Sequence, residues 1–134
     1  MKLLLDTHIL LWWFLDSDLL SRDAREAIEN PENEIYYSVL SILEIELKYL
    51  SHPDKIDFSA EQVLSYCKAS NFQRADLNEQ QILLLGSLRR AETAPPHKDP
   101  FDRLLICQAI TEEMLFLTHD QRIQEYNAPC IRFV

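Results

Sequence analysis

His97-Lys98-Asp99-Pro100-Phe101-Asp102-Arg103-Leu104-Leu105-Ile106-Cys107-Gln108-Ala109 joins a marked helix start to an apolar helix body. Asp99 ahead of Pro100 has the form of an N-cap followed by proline at the first helical position, where the missing N–H costs nothing. Asp102 then falls at about the third helical position, and the run from Leu104 to Ile106 predicts that the helix body is packed in a core. Met114 to Thr118 follows as a short apolar run with the character of a buried strand. A buried helix leading into a buried strand is the repeating unit of an α/β layer fold. Asp102 either faces solvent, as a first-turn acid favoured by the helix dipole, or faces carboxylates from elsewhere in the chain.

Working outward, Leu3 to Leu5 is a wholly apolar run that ends at Asp6, as expected of a strand covered on both faces. Ile9 to Leu15, with Trp12, Trp13 and Phe14, predicts a short helix packed on that sheet. Ser21 caps a helix through Ile28 that Asn30-Pro31 ends, and Ile35 to Val39 predicts a second strand. Ser41 is the expected cap of a helix with Ile42, Ile45 and Tyr49 on one face and Glu44 and Lys48 on another; His52-Pro53 closes it. Ser59 with Gln62 has the capping-box pattern. Phe72 to Leu77 is a weak strand, and Asn78 with Gln81 opens a helix expected to run to about Arg90. Thr93 to Lys98, with Pro95-Pro96, is a loop. After Asp120, a short helix through Tyr126, a break at Pro129 and a strand from Cys130 to Phe133 complete the pattern. Strands alternating with helices predict an α/β fold with a mainly parallel central sheet flanked by helices, as one domain over residues 1–134.

Composition narrows the function. Hydrophobic residues at 47% and charged residues at 26% describe an ordinary globular protein, and a single glycine excludes glycine-rich phosphate loops. The formal charge of −9 excludes binding of nucleic acid by a broad basic patch, so a phosphate substrate needs metal ions or a local cationic rim. Cys67, Cys107 and Cys130 have no paired spacing and suit reduced, buried thiols. Asp6 and His8 interrupt the apolar N-terminus, which falls short of the ~20 residues that span a bilayer, and no small-residue cleavage site follows. The chain is therefore expected to be cytoplasmic, free of the membrane and mature from Met1.

In parallel α/β sheets, ligands bind beyond the carboxyl ends of the strands. Asp6 and Asp120 follow strands, and Glu44 and Asp102 lie early in helices that leave the same edge. Four acids on one rim are destabilising unless protonated or neutralised by a cation. Oxygen donors without a His/Cys cluster favour Mg²⁺ or Mn²⁺. The corresponding chemistry is metal-assisted phosphodiester hydrolysis with water as nucleophile. Lys48 and Arg103 are candidates to hold a phosphate, and Thr7 and Thr118 to orient a carboxylate; ordinary surface pairing and backbone bonding are the alternatives. Asp99 is expected to be occupied as a cap, with direct or water-mediated metal contact as the alternative. His8, His97 and His119 form no pair with metal-ligand spacing and are read as rim residues.

Leu3-Leu-Leu-Asp-Thr-His-Ile-Leu-Leu-Trp12, Ser41-Ile-Leu-Glu-Ile-Glu-Leu-Lys48, His97 to Ala109 and Leu117-Thr-His-Asp120 together resemble PIN-domain proteins of the VapC toxin type, in order and over nearly the whole chain. The resemblance implies a PIN fold and an Mg²⁺- or Mn²⁺-dependent ribonuclease. It places the catalytic acids at Asp6, Glu44 and Asp102, with Asp120 as a more variable fourth. It also implies a homodimer and an antitoxin partner whose C-terminal segment wraps the toxin. Leu43 stands where relatives often carry tryptophan, and Cys107 where alanine is usual. Two other readings remain at this point. One is a catalytically inert PIN-like binding or regulatory module. The other is a phosphatase of the haloacid dehalogenase type, disfavoured because Asp6-Thr7-His8 lacks that chemistry's second acid.

Overall fold

A five-stranded sheet ordered β3-β2-β1-β4-β5 runs through the middle of the computed structural model, which describes residues 1–134. The strands are β1 (Lys2–Leu5), β2 (Glu34–Ser38), β3 (Gln73–Ala75), β4 (Leu115–Thr118) and β5 (Ile131–Phe133). Every neighbouring pair is parallel, so the mainly parallel expectation is met in full. The helices are α1 (Thr7–Leu15), α2 (Arg22–Glu29), α3 (Val39–Ser51), α4 (Ala60–Ala69), α5 (Glu79–Leu83), α6 (Pro100–Thr111) and α7 (Gln121–Gln124).

Two apolar layers hold the sheet, one on each face. Leu3 and Leu5 of β1 pack with Ile9 and Leu10 of α1, Ile28 of α2 and Val63 of α4. Leu4 points the other way, alongside Phe116, and packs with Leu105 and Ile106 of α6 and Ile123 of α7. Alternate residues of one strand thus reach opposite layers, which explains why Leu3 to Leu5 is apolar without a break. The helix α3 contributes Leu40 to the second layer and Ile45 to the first. Cys107 is fully buried.

Chain order reverses beside β1: β2 and β3 lie on one side of it, β4 and β5 on the other. Such a switch point opens a crevice at the carboxyl edge. The helices run back against the strands, so the starts of α1, α3 and α6 meet at this edge.

Three expected boundaries move, each for a local reason. Ser38, not Ser41, caps α3, accepting from Leu40 N at 3.0 Å. Val39 therefore opens the helix instead of ending the strand, and Glu44 sits in its second turn. The first helix starts at Thr7, because Asp6 is its cap. The helix from Asn78 stops at Leu83 and tightens into a 3₁₀ turn over Leu84–Ser87. Beyond it the backbone is extended, pairing Arg90 with Tyr126 and bonding Asn127 N to Arg89 O at 2.7 Å. A long-range backbone pairing overrides the local helical pattern there.

Buried polar bonds fix α3 and α6 to the sheet. Ser38 Oγ donates to Gln108 Oε1 at 2.6 Å, and Gln108 Nε2 donates to the Ala75 carbonyl at 3.4 Å. Ser38→Ala removes a helix cap and leaves a buried acceptor unpaired. The expected cost is about 2–3 kcal/mol of unfolding free energy. Urea unfolding checks this as a lower midpoint at unchanged slope; a loss below about 0.5 kcal/mol would show that the network carries little.

Candidate active site

Asp6 ends the central strand and is almost wholly buried. Its Oδ1 accepts from Thr7 N at 2.8 Å, and its Oδ2 accepts from the Thr118 hydroxyl at 2.7 Å. The Thr118 oxygen in turn accepts from Asp120 N at 3.1 Å. On the other side, the Thr7 hydroxyl donates to Glu44 Oε1 at 2.8 Å. That uses its only proton, so Ser41 Oγ, 2.8 Å away, donates to Thr7. Two threonines thus tie Asp6, Glu44 and the backbone of Asp120 into one framework.

Asp102 is held by other means. Asp99 caps α6, accepting from Phe101 N at 2.9 Å and Asp102 N at 3.4 Å. His97 Nε2 lies 3.1 Å from Asp102 Oδ2, and its Nδ1 lies 2.9 Å from the Tyr126 hydroxyl. Arg90 covers the Tyr126 ring, 4.8 Å from its centroid. The sequence predicts His97 as a rim residue, yet its side chain is buried against the carboxylate. Its only local signal is a position five residues ahead of Asp102, across a proline, which is no helical spacing.

The four acids differ electrostatically. Burial raises Asp102 from the usual 3.8 to about 8, with Asp6, Asp99, Glu44 and Asp120 adding like charge. Burial likewise raises Asp6 to about 6, against the hydrogen bond from Thr118. Glu44 is also raised, again chiefly by burial. Asp120 goes the other way: partial burial pulls it up, but the hydrogen bonds and charge of Arg122 together bring it below 3.8. Arg122 grips both its oxygens, Nε at 3.2 Å and Nη2 at 2.9 Å. Burial and the nearby Arg122 and Arg90 hold His97 below 6.5, so near neutrality it is an uncharged partner of a protonated Asp102.

The remaining candidates are spread along the edge. Lys48 lines a small cavity with His8, Trp12 and Lys55. Arg103 is turned to the Leu85 carbonyl, 3.5 Å from it, and pairs with no carboxylate of the rim. Arg122, unmarked in the sequence reading, is the cation in contact with an acid.

No three His, Cys, Asp or Glu side chains close tightly enough to form a ready-made coordination shell. The donors nevertheless fit a hard divalent cation. They are oxygens, they raise one another's pKa, and a positive charge among them would relieve that repulsion.

Fold and rim together define a doubly wound parallel α/β protein with an acidic site at its switch point. The PIN domain model matches residues 3–129, and the chain belongs to the PIN-domain family. The haloacid dehalogenase alternative falls with that match. Among curated proteins the chain is similar to Ribonuclease VapC22 of Mycobacterium tuberculosis, 28% identical over 129 residues, covering 94% of this chain and 92% of that protein. Among solved structures it resembles VapBC2 from Rickettsia felis bound to a DNA fragment from its promoter, with a TM-score of 0.67 at 19% identity over 100% of this chain and 98% of the other. DNA-bound VapBC from Salmonella typhimurium follows, with a TM-score of 0.61 at 20% identity over 100% and 97%. These two establish likeness of fold.

The raised pKa values make stability pH-dependent. Asp102 and Asp6 bind protons more tightly folded than unfolded, so their stabilising protonation is lost as pH rises from about 4 towards 8. His97, held low, acts in the opposite sense below 6.5, leaving the decline unopposed from about pH 6.5 to 8. In EDTA the melting temperature is expected to fall across that window, and Asp102→Asn to flatten the fall and raise the value at pH 8. Thermal melts at pH 6.5 and 8 decide it; a flat or rising wild-type profile would contradict the burial of these charges.

Proposed function

We propose that this chain is a divalent-metal-dependent endoribonuclease that hydrolyses RNA phosphodiester bonds, as the toxin of a toxin–antitoxin pair. The observation that carries the reading is the group of mutually repelling acids, Asp6, Glu44 and Asp102, at the switch point of a PIN domain. Similarity to Ribonuclease VapC22 supports RNA as the substrate.

Asp6, Glu44 and Asp102 would hold the ion, with Asp120 as the fourth acid, and their all-oxygen donor set favours Mg²⁺ or Mn²⁺. An ion bound there would lower the pKa of an attacking water and neutralise charge on the phosphate. The chain's own groups prepare the site. Thr118 and Thr7 N fix Asp6, the Thr7 hydroxyl fixes Glu44, and His97 fixes one oxygen of Asp102. Asp99 sets the start of α6 and so the place of Asp102. Lys48 and Arg122 bring positive charge to the rim.

A protein partner is supported by α3, where Leu43, Leu47 and Leu50 are exposed at helical spacing along one side. The charge of −9 suits an antitoxin with a basic segment. The fold neighbours are VapBC proteins, and we read this chain as a homodimer in the cytoplasm that pairs with such an antitoxin. No helix is long and apolar enough to cross a membrane.

Purified protein with Mn²⁺ or Mg²⁺ is expected to cleave RNA, and Asp6→Asn or Asp102→Asn to reduce the rate by at least about 100-fold. Equal cleavage by wild type and variants would assign the activity to a contaminant. Cleavage of no RNA would favour an inert PIN-like binding module. Light scattering is expected to give twice the mass of one chain.

A further inference from the structure

Beside the acids runs a ladder of rings with no part in holding them. The His8 and Trp12 ring centroids are 5.8 Å apart, those of Trp12 and His119 are 5.8 Å apart at 70°, and His119 stacks on Phe133 at 5.1 Å and 22°. His119 is locked by donating Nδ1–H to the Val134 carbonyl, which leaves Nε2 without a partner. The rings come from α1, the turn after β4, and β5, on the β1-β4-β5 side of the carboxyl edge. His8, Trp12 and His119 wall a cavity of about 440 Å³ shared with Asp6, Asp120 and Arg122. Behind the same His8–Trp12 wall lies a smaller cavity of about 140 Å³ that carries Lys48 and Lys55. One side of this aromatic wall carries Arg122 with Asp6 and Asp120, and the other carries Lys48 and Lys55 with Asp57.

Resting on the ribonuclease reading and extending it, we infer that the Trp12–His119 wall is a nucleobase subsite. It takes one unpaired base of single-stranded RNA next to the phosphate that lies at the acids, while Lys48 and Lys55 take a neighbouring phosphate. Three arguments lead there. The cavity is of the size that holds a small ligand. Its lining brings together the exposed His8 and His119 and the half-buried Trp12, rings that offer a planar group a face to stack on. The lysines sit across the wall, where phosphates on the same strand would meet them. A base inside a duplex is covered on both faces and cannot enter, so the subsite selects unpaired nucleotides.

The test uses the full chain carrying Trp13→Phe, which leaves Trp12 as the single tryptophan, and Asp102→Asn to suppress cleavage. An unpaired hexaribonucleotide is expected to quench Trp12 fluorescence to saturation, and a blunt duplex of the same bases is not. In the otherwise wild-type enzyme, Trp12→Ala is expected to raise KM roughly 5- to 100-fold, the worth of one stacked base, with a smaller loss in kcat. Trp12→Phe should recover most of it, and His119→Ala should give a partial loss. Lys48→Ala with Lys55→Ala should weaken binding alike for every base composition and flatten its salt dependence. If wild type cleaves RNA while Trp12→Ala and His119→Ala keep its KM and no quenching occurs, the subsite is wrong and the nuclease stands. Quenching without cleavage by wild type would keep the subsite and remove the nuclease. Absence of both would remove both.

Discussion

Both oxygens of the Asp6 carboxylate are committed to the protein, one to the start of α1 and one to Thr118 at the end of β4. This side chain therefore closes the crevice at the switch point, where β1 and β4 lie side by side. Everything else at the edge is referred to it. Thr7, the residue whose N–H Asp6 caps, spends its hydroxyl proton on Glu44, and Thr118 spends its proton on Asp6 while its oxygen receives Asp120 N. Because each hydroxyl has one proton, the directions of these bonds are determined once the carboxylates are ionised. The arrangement is rigid for that reason, since a threonine cannot turn to a new partner without abandoning an acid.

Four acids of one sequence type become two kinds of group in the fold. Asp120 has its counter-charge within the chain, gripped at both oxygens by Arg122 two residues on. Asp102 has a neutral imidazole and like charges, and its carboxyl rises to about 8. An acid already paired gains little from an added cation, whereas a buried acid forced to hold a proton gains a great deal. The demand for positive charge is thus concentrated on Asp6, Glu44 and Asp102, and Asp120 competes for it only by leaving Arg122.

How much of this was legible depended on the range of the forces involved. Leu3 to Leu5 and Asp99-Pro100 gave β1 and the start of α6 because burial on two faces and a cap with proline are local constraints with local signatures. The rim of acids followed from chain order alone, once the strands were known to be parallel. Ser41 has the spacing of a cap, and the cap falls instead on Ser38, expected inside the strand, whose side chain is held by Gln108, 70 residues away. The early end of α5 has the same origin, in the pairing of Arg90 with Tyr126. His97 was invisible for a further reason: its partners, Asp102 and Tyr126, come from two different elements, and no periodicity links the three.

The aromatic run in α1 shows the same logic at the surface. A helix that packs on a sheet normally carries a polar outer face, yet in Thr7–Leu15 only His8 supplies an exposed polar side chain. The core takes Ile9 and Leu10, and Trp12 packs half-buried between that core and the rings of His8 and His119. Apolar surface left beside a site costs stability and solubility without adding to the core. The surplus is therefore placed by the edge it serves: one side of α1 completes the layer under β1, and the other presents rings to the crevice that Asp6 closes.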